Sequence, residues 1–309
     1  MGLNESVLGF VEQLKERCPT QTLECGATVI DCGVTWKGSV QAGLLFANVT
    51  LAGLAEIQLS TRHEEDLTYP VVEVRTDHPT TATIASQMAG WQVVAGKFFG
   101  MGSGPARALA LKPKEVYEAI DRQREDDDVA VLCLEASSLP SDDVAGMVAE
   151  ECGIKPRDVH LLVARTDSIT SSVQLASRTL EMGTFRMLDV LKFDVRKVVS
   201  AFGVAPLAPV YKGLAAMGAT NDALIYGGDN LYFIDGFSQE LTNKVVSADC
   251  KNYGKRFEQL FKEAGKDFYK MDHDIFAPAK VTVNDLAAGK VYSAGRINLD
   301  VLREVFAQP

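Results

Sequence analysis

The sequence predicts an α/β-type protein of about two domains, and three observations lead to this fold class. The chain has 309 residues, and about 150 residues is a usual domain length. Segments with strand-like and helix-like hydrophobic patterns alternate along it. Val129–Glu135, Ser141–Cys152 and Val159–Ala164 read as strand, helix and strand, which predicts a βαβ unit with a parallel strand pair. We expect a domain boundary near residue 190, giving domains 1–190 and 191–309 between which the chain is free to cross.

Helices and strands are expected to alternate in the N-terminal part of the chain. Apolar residues recur at helical spacing over Leu3–Arg17, which predicts a helix, and β-branched residues over Thr28–Cys32 predict a strand. The same criteria predict the elements that follow: a helix over Gly43–Val49, strands near Ala55–Leu59 and over Tyr69–Arg75, a helix over Thr80–Ala89 and a strand over Trp91–Val94.

The strand predicted over Tyr69–Arg75 runs directly into the sequence Thr-Asp-His-Pro at residues 76–79. In α/β sheets, ligand-binding residues collect where strands end. Asp77 and His78 are therefore candidates for binding or for acid–base chemistry. A local turn or cap is the alternative interpretation of this pair.

The segment Gly100–Arg107 combines three glycines with a proline before a predicted short helix that ends near Leu111. Glycine allows positive φ and close backbone approach, and proline suits the first position of a helix. Free backbone N–H groups at a helix start can bind a phosphate or a carboxylate. The spacing matches neither a P-loop nor the dinucleotide fingerprint, so a tight strand-to-helix turn without a ligand is the alternative.

A helix with one apolar and one polar face is predicted over Ile169–Asp189. Ser171, Gln174, Arg178 and Glu181 recur at helical spacing opposite an apolar stripe. Arg178 and Glu181 are neighbours on this face because they are three residues apart. One interpretation is a surface ion pair worth well under about 1 kcal/mol. The other is a general base held ionised by the guanidinium, which requires the polar face to line a cleft.

Beyond residue 190 the hydrophobic pattern is less regular. Pro206 and Pro209 interrupt a helical region that is predicted to end near Met217. The sequence Gly-Gly-Asp-Asn at residues 227–230 is a hairpin signal between two strand-like runs. The predicted elements of this part are strands over Ala223–Tyr226 and Leu231–Ile234 and near Val281 and Val291, with helices near Lys255–Glu263 and Asn298–Phe306.

The composition argues against several classes of partner. The chain has 31 Lys+Arg and 41 Asp+Glu, so its formal net charge is −10, which disfavours nucleic acid and anionic membrane surfaces. A local basic pocket for an anionic ligand is compatible with this charge. No apolar stretch approaches the roughly 20 residues of a membrane span, and the N-terminus lacks the pattern of a signal peptide. We therefore expect a cytoplasmic protein.

The six cysteines and four histidines are scattered along the chain. No C-x-x-C pair and no HExxH motif occurs, and Cys25 and Cys32 are too far apart for a zinc knuckle. We expect no protein-bound metal. We also expect reduced structural thiols, with Cys133 acting as a small hydrophobic residue inside the strand over Val129–Glu135.

Several segments taken together resemble the methenyltetrahydromethanopterin cyclohydrolase family. The most specific of them is the Gly-Ser-Gly-Pro stretch, and the resemblance extends from the N-terminal helix to the segment Gly295–Phe306. The matching segments are Ala27–Gly33, Gln41–Phe46, Thr76–Pro79, Ala89–Gln92, Met101–Glu115 and Val129–Glu135.

The resemblance implies an α+β fold of two α/β-type domains, with mixed sheets flanked by helices and a ligand cleft between the domains. It implies a homotrimer that takes part in one-carbon metabolism, methanogenesis or C1 oxidation. The reaction that it implies is the reversible hydrolysis of the methenyl bridge of 5,10-methenyl-tetrahydromethanopterin to the 5-formyl compound. Tetrahydromethanopterin is then the one-carbon carrier and the substrate, and no metal or redox cofactor is bound to the protein.

In this family a glutamate, and an arginine three residues before it on one helix, carry the chemistry, and they match Glu181 and Arg178. The resemblance therefore implies that Glu181 takes the proton of the attacking water and that Arg178 orients it. The further candidates for substrate binding are Ser103, Gly104, Arg107 and Lys112 for an anionic tail, Asp77 for the aminopyrimidinone edge of the pterin, and His78 and Gln174.

Three alternatives to this function are open. The first is a divergent relative that acts on a different one-carbon pterin, and the second is a non-catalytic pterin carrier. A carrier has no need of a base, so the presence of both Arg178 and Glu181 argues against it. The third is a phosphate- or nucleotide-binding module built on the glycine segment, which lacks the Lys-Ser/Thr of a P-loop.

Overall fold

A computed structural model describes residues 2–266 and 270–307 of the chain. The backbone forms two compact units, each with a six-stranded mixed sheet flanked by helices. One unit combines the chain up to Glu56 with Thr80–Gln174, and the other combines Ile57–Pro79 with the chain from Leu175 onward. The predicted α+β class with mixed, helix-flanked sheets is confirmed. The chain passes from one unit to the other after Glu56, Pro79 and Gln174 rather than at a single boundary near residue 190. Hydrophobic patterns identify strands but not the sheet that each strand joins.

The strands have the following bounds. They are β1 (Thr20–Thr22), β2 (Thr28–Gly33), β3 (Glu56–Glu64), β4 (Leu67–Thr76), β5 (Trp91–Ala95), β6 (Phe98–Ser103), β7 (Ala130–Ala136), β8 (Val159–Ala164), β9 (Val198–Pro206), β10 (Asp229–Ile234), β11 (Lys280–Asp285) and β12 (Lys290–Gly295). The strands predicted before residue 95, over 129–135 and 159–164, and near 281 and 291 are confirmed.

The helices have the following bounds. They are α1 (Leu3–Ser6), α2 (Leu8–Lys15), α3 (Val40–Thr50), α4 (Ala106–Ala110), α5 (Lys114–Ala119), α6 (Asp142–Cys152), α7 (Ile169–Ala176), α8 (Thr179–Asp189), α9 (Leu214–Gly227), α10 (Gln239–Val245), α11 (Phe257–Glu263) and α12 (Leu299–Ala307), with a π-helix over Thr80–Gln87. Within the described ranges, no helix is both long and apolar enough to cross a membrane.

The sheet of the first unit has the strand order β1-β2-β8-β7-β6-β5. β2, β8 and β7 are parallel, so the predicted βαβ unit β7-α6-β8 is confirmed. Leu132 and Leu161 pack with residues of α6 on one face, while Val131 and Cys133 pack with residues of α2 and α3 on the other. The central strands are therefore apolar on both faces, as parallel strands covered on two sides require.

The glycine segment is mostly strand rather than open loop, because β6 continues to Ser103. A Cβ atom on Gly102 would lie 3.0 Å from the carbonyl oxygen of Trp91 on β5 and 3.2 Å from Leu132 Cδ1 on β7. Gly104 follows with a φ of +98°, a conformation that strongly favours glycine. Glycine is thus needed here because neighbouring strands pack closely and the chain then turns sharply into α4.

The sheet of the second unit has the strand order β12-β11-β10-β9-β4-β3. β10 and β11 are parallel, whereas β4–β9, β9–β10 and β11–β12 are antiparallel pairs. Val74, Gly203 and Asn230 form one row across β4, β9 and β10. α8 packs on β9 and β10, so this row lies where the helix meets the sheet.

Two predictions for this unit are wrong. The expected hairpin around residues 227–230 does not form, because α9 extends to Gly227 and β10 begins at Asp229. Most of α9 is buried, so it lacks the amphipathic pattern that distinguishes a surface helix, and its two terminal glycines end the helix instead of forming a strand turn. The helical region expected around Pro206 and Pro209 and ending near Met217 is strand β9 as far as Pro206, and α9 begins only at Leu214 and continues past Met217 to Gly227.

His160 on β8 gives the first unit a pH-dependent stability. Burial, aided by Lys15, lowers the pKa of His160 from its ordinary 6.5 to about 4. Between these values the unfolded chain binds a proton that the folded chain does not, so stability falls as the pH drops from about 6.5 towards 4. The loss attributable to this group is on the order of 2–3 kcal/mol.

We predict that His160→Leu flattens this dependence, measured as urea unfolding midpoints between pH 4 and 7. His63→Gln is the control, since His63 is exposed, and it should keep the wild-type slope. An unchanged slope in His160→Leu would assign the pH dependence to other groups.

Candidate active site

Arg178 and Glu181 meet at the beginning of α8 in the second unit. The guanidinium Nη1 donates to Glu181 Oε2 at 3.0 Å, and the two side chains are 10% and 14% exposed. An exposed ion pair would be screened by water. The surface-pair interpretation is therefore wrong, and the pair lies in a largely buried setting where charge interacts more strongly.

The helix that carries the pair is not continuous with the one before it. α7 ends at Ala176 and α8 begins at Thr179, so the single helix predicted over Ile169–Asp189 is two helices. Arg178 immediately precedes α8, and Glu181 lies in its first turn. The unpaired N–H groups and the dipole at a helix start favour a negative charge. Arg178 and the helix start thus both interact favourably with the negative charge of Glu181.

The break also divides the predicted polar stripe. Ser171 and Gln174 lie on α7 and belong to the first unit, whereas Arg178 and Glu181 belong to the second. Gln174 is 2% exposed. A substrate contact of Gln174 stays a prediction.

Asp77 and His78 follow the end of β4, as predicted. Both side chains are exposed. Ser200 Oγ donates to Asp77 Oδ1 at 2.7 Å, and the backbone N–H of His78 donates to Thr76 Oγ1 at 3.0 Å. The second of these bonds is the local turn that the sequence left open as an alternative, and a ligand contact of either side chain stays a prediction.

The glycine segment offers less to an anion than its sequence suggested. The N–H of Gly104 donates to the carbonyl of Ser86 at 2.8 Å, and Ser103 is 3% exposed. α4, which follows, has only five residues. The N–H of Gly104 is therefore already bonded, and substrate binding by Ser103 and Gly104 stays a prediction without further support.

Arg107 is an internal support rather than a surface cation. Its side chain is fully buried. Nε donates to the carbonyl of Lys112 at 2.8 Å, and Nη1 donates to the carbonyls of Ile84 and Ser86 at 3.0 and 3.2 Å. The guanidinium also lies 5.6 Å from the ring centroid of Tyr117. We therefore interpret Arg107 as a brace between backbone segments, and its contact with a substrate tail stays a prediction.

Lys112 is the remaining basic candidate of this segment. It is half-buried, and its Nζ lies 2.8 Å from Glu151 Oε2 on α6. Across residues 2–266 and 270–307, no group of three or more His, Cys, Asp or Glu side chains has an arrangement that could hold a metal ion.

Sequence reasoning missed the side chains beneath the start of α8. Asn230 and Tyr232 on β10 are fully buried and bond to the first residues of the helix. Gly183 is the signal that could have indicated them, because a glycine inside a helix costs about 1 kcal/mol relative to alanine. Such a residue indicates a close neighbour.

Comparison with known proteins decides the family. The cyclohydrolase (MCH) family profile matches residues 3–306. The chain belongs to this family.

Relatives in this family are similar to the chain over almost their whole length. A methenyltetrahydromethanopterin cyclohydrolase from Methanocaldococcus jannaschii is 50% identical over 289 residues, covering 91% of this chain and 89% of that protein. Proteins of the same name from Methanococcus maripaludis and Methanothermobacter marburgensis are 50% and 48% identical, covering 98% and 92% of this chain and 98% and 91% of theirs. The resemblance found in the sequence is thereby confirmed.

We predict that Arg107→Lys lowers the free energy of unfolding by about 2–4 kcal/mol. One ammonium group cannot reach all three carbonyls to which Nε and Nη1 of the guanidinium donate. Urea denaturation measures this loss. Arg157→Lys is the control: Arg157 is 66% exposed, and the change should stay within about 0.5 kcal/mol. If Arg107→Lys were as stable as the control, the guanidinium would not brace the backbone.

Proposed function

We propose that this protein hydrolyses the methenyl bridge of 5,10-methenyl-tetrahydromethanopterin, reversibly, to the 5-formyl compound. The observation that carries the proposal is the buried Arg178–Glu181 pair at the start of α8. The names of relatives that are about half identical over nine-tenths of the chain give the substrate class. A divergent or non-catalytic one-carbon pterin-binding protein would share the fold but would have no use for a buried base.

The chemistry of the substrate explains why one carboxylate suffices as the base. The methenyl bridge is an amidinium-like cation, so its carbon is already electrophilic. Water attacks this carbon and forms the new C–O bond, and Glu181 takes a proton from the water. The bond from this carbon to the nitrogen outside the ring then breaks, that nitrogen receives the proton held by Glu181, and the hydroxyl loses its own proton and becomes the formyl C=O. The second proton of the water leaves to solvent.

We assign different roles to the two oxygens of Glu181 because their hydrogen bonds differ. Oε2 accepts the hydrogen bond from Arg178 at 3.0 Å. Among the described residues, Oε1 has no hydrogen-bond partner, and we assign it to the attacking water. Arg178 thus orients the carboxylate. The negative charge of Glu181 also attracts the cationic bridge, which places the electrophilic carbon beside the base.

The remaining parts of the proposal concern the rest of the substrate and the assembly. We assign the exposed carboxylate of Asp77 to the aminopyrimidinone edge of the pterin and Lys112 to the anionic tail. Because the bridge carbon is activated by its own charge, we propose no protein-bound metal or redox cofactor. The resemblance supports a homotrimer in the cytoplasm that acts in one-carbon metabolism.

We predict that Glu181→Gln lowers kcat by about 10²–10⁴-fold, because glutamine keeps the shape but cannot take a proton. Substrate binding should persist. Loss of the methenyl absorbance measures turnover, and titration under the same conditions measures binding. Glu240→Gln is a matched control, since Glu240 forms an exposed helical ion pair with Lys244 at 2.8 Å. Near-normal turnover in Glu181→Gln would contradict the assignment, and a stable spectral shift with stoichiometric wild-type protein would indicate a carrier.

We predict that Lys112→Ala raises KM about tenfold with kcat unchanged, since one charge contact to the tail is worth roughly 1.4 kcal/mol. Its ion pair with Glu151 is half-exposed, so stability should change by less than about 1 kcal/mol. Lys114→Ala is the control, because Lys114 is 78% exposed. Steady-state kinetics of both variants test the assignment, and an equal KM would place the tail elsewhere.

A further inference from the structure

We infer that Asn230, with Thr179 and Tyr232, positions the Arg178–Glu181 pair and thereby sets the rate of water attack. The inference rests on the proposed function, because it concerns the base assigned there. Asn230 and Tyr232 lie on β10 and Thr179 is the first residue of α8. None of the three is assigned to contact the substrate, so they are positioning residues.

Both polar atoms of the Asn230 side-chain amide are hydrogen-bonded, and two of the three bonds go to Thr179 at the start of α8. Nδ2 donates to the backbone carbonyl of Thr179 at 2.8 Å and to Tyr232 Oη at 3.0 Å, and Oδ1 accepts from Thr179 Oγ1 at 2.7 Å. Tyr232 Oη in turn donates to the backbone carbonyl of Leu180 at 3.1 Å. Thr179 and Leu180 are the two residues between Arg178 and Glu181, so the network holds the backbone that connects these two residues.

The chemistry of the partners allows one arrangement of hydrogens in this network. The carbonyl of Thr179 can only accept, so it must face Nδ2 and not Oδ1 of Asn230. The hydroxyl hydrogen of Tyr232 goes to the carbonyl of Leu180, so its oxygen accepts the second Nδ2 hydrogen. Burial raises the pKa of Tyr232 well above its ordinary value, which keeps this hydroxyl protonated. A fully satisfied buried network of this kind holds its members rigidly.

Two glycines permit the close approach that the network needs. Gly203 on β9 pairs with Asn230 across the sheet, and a Cβ atom on it would lie 2.7 Å from Thr179 Cγ2 and 2.9 Å from Asn230 Oδ1. A Cβ atom on Gly183 would overlap Tyr232 Oη. The first turn of α8 therefore rests directly on the strands, and the amide reaches it without an intervening side chain.

Rigid placement matters because Glu181 lies in the turn that the network holds. Its carboxylate accepts a hydrogen bond from Arg178, which immediately precedes the same turn. A shift of the turn would carry Glu181 away from the bridge carbon. A misplacement of about 1 Å can cost on the order of 10²-fold in rate. Loss of the network should thus lower the rate of the chemical step and leave substrate affinity largely intact.

The test measures kcat and KM for Asn230→Ala, Thr179→Val and Tyr232→Phe, each in the wild-type and in the Glu181→Gln background. We expect kcat to fall about 10–100-fold for Asn230→Ala and several-fold for the milder variants, with KM within about threefold. In the Glu181→Gln background the same changes should lower the residual rate by less than about twofold, because residues that act through one group are not additive. Asn230→Asp should behave like Asn230→Ala, since it keeps the shape but loses both donated hydrogens.

Ser247→Ala is the matched control for general destabilisation. Ser247 is buried in the same unit and donates to the carbonyl of Ile225 at 2.7 Å, so its loss should lower Tm and leave kcat unchanged. If Asn230→Ala does not fold, Thr179→Val and Tyr232→Phe decide the question. Unchanged kcat in the folded variants, or an equal loss in both backgrounds, would overturn this inference and leave the assigned base untouched. Normal turnover of Glu181→Gln by itself would overturn the assigned base as well.

Discussion

The contact between the first turn of α8 and the backbone of β9 and β10 is the constraint on which the candidate site depends. Gly203 has no side chain, so Thr179 and Asn230 approach the strand more closely than a Cβ atom there would allow. The amide of Asn230 then binds both the carbonyl and the hydroxyl of Thr179. Because Thr179 lies between Arg178 and Glu181, a strand of the sheet determines where the proposed base is held.

The burial of Arg178 and Glu181 is better explained by the proposed catalytic role than by stability. Removing two charges from water costs several kcal/mol per ion, and their mutual attraction offsets this only when the geometry is good. The hydrogen bond of 3.0 Å and the helix start offset part of that cost. Under the proposed function, the remaining gain is a carboxylate that is fixed before the substrate arrives, in surroundings where its attraction to a cationic carbon is less screened than in water.

Features that depend on short-range spacing were predictable from the sequence, and those that depend on distant contacts were not. The β7-α6-β8 unit and the adjacency of Arg178 and Glu181 follow from local periodicity. The break before Thr179 interrupts a spacing that continues on both sides, and the partner that bonds at the break, Asn230, lies 51 residues away. The burial of Arg107 was not predictable, because a basic residue beside glycines suggests an anion site, whereas burial depends on segments that the sequence does not show to be neighbours.

The segment that most clearly marks the family belongs to the first unit, whereas the pair that carries the proposed chemistry belongs to the second. In Met101–Glu115, Gly102 has to fit between two strands and Arg107 has to reach three carbonyls. Each position is limited by neighbours on several sides, so few residue types fit, and this packing alone makes the segment recognisable. Arg178 and Glu181 have an ordinary helical spacing, and only their burial and the support from β10 distinguish them from a surface pair. The glycine segment therefore identifies the family, and the supported pair is the basis of the proposed reaction.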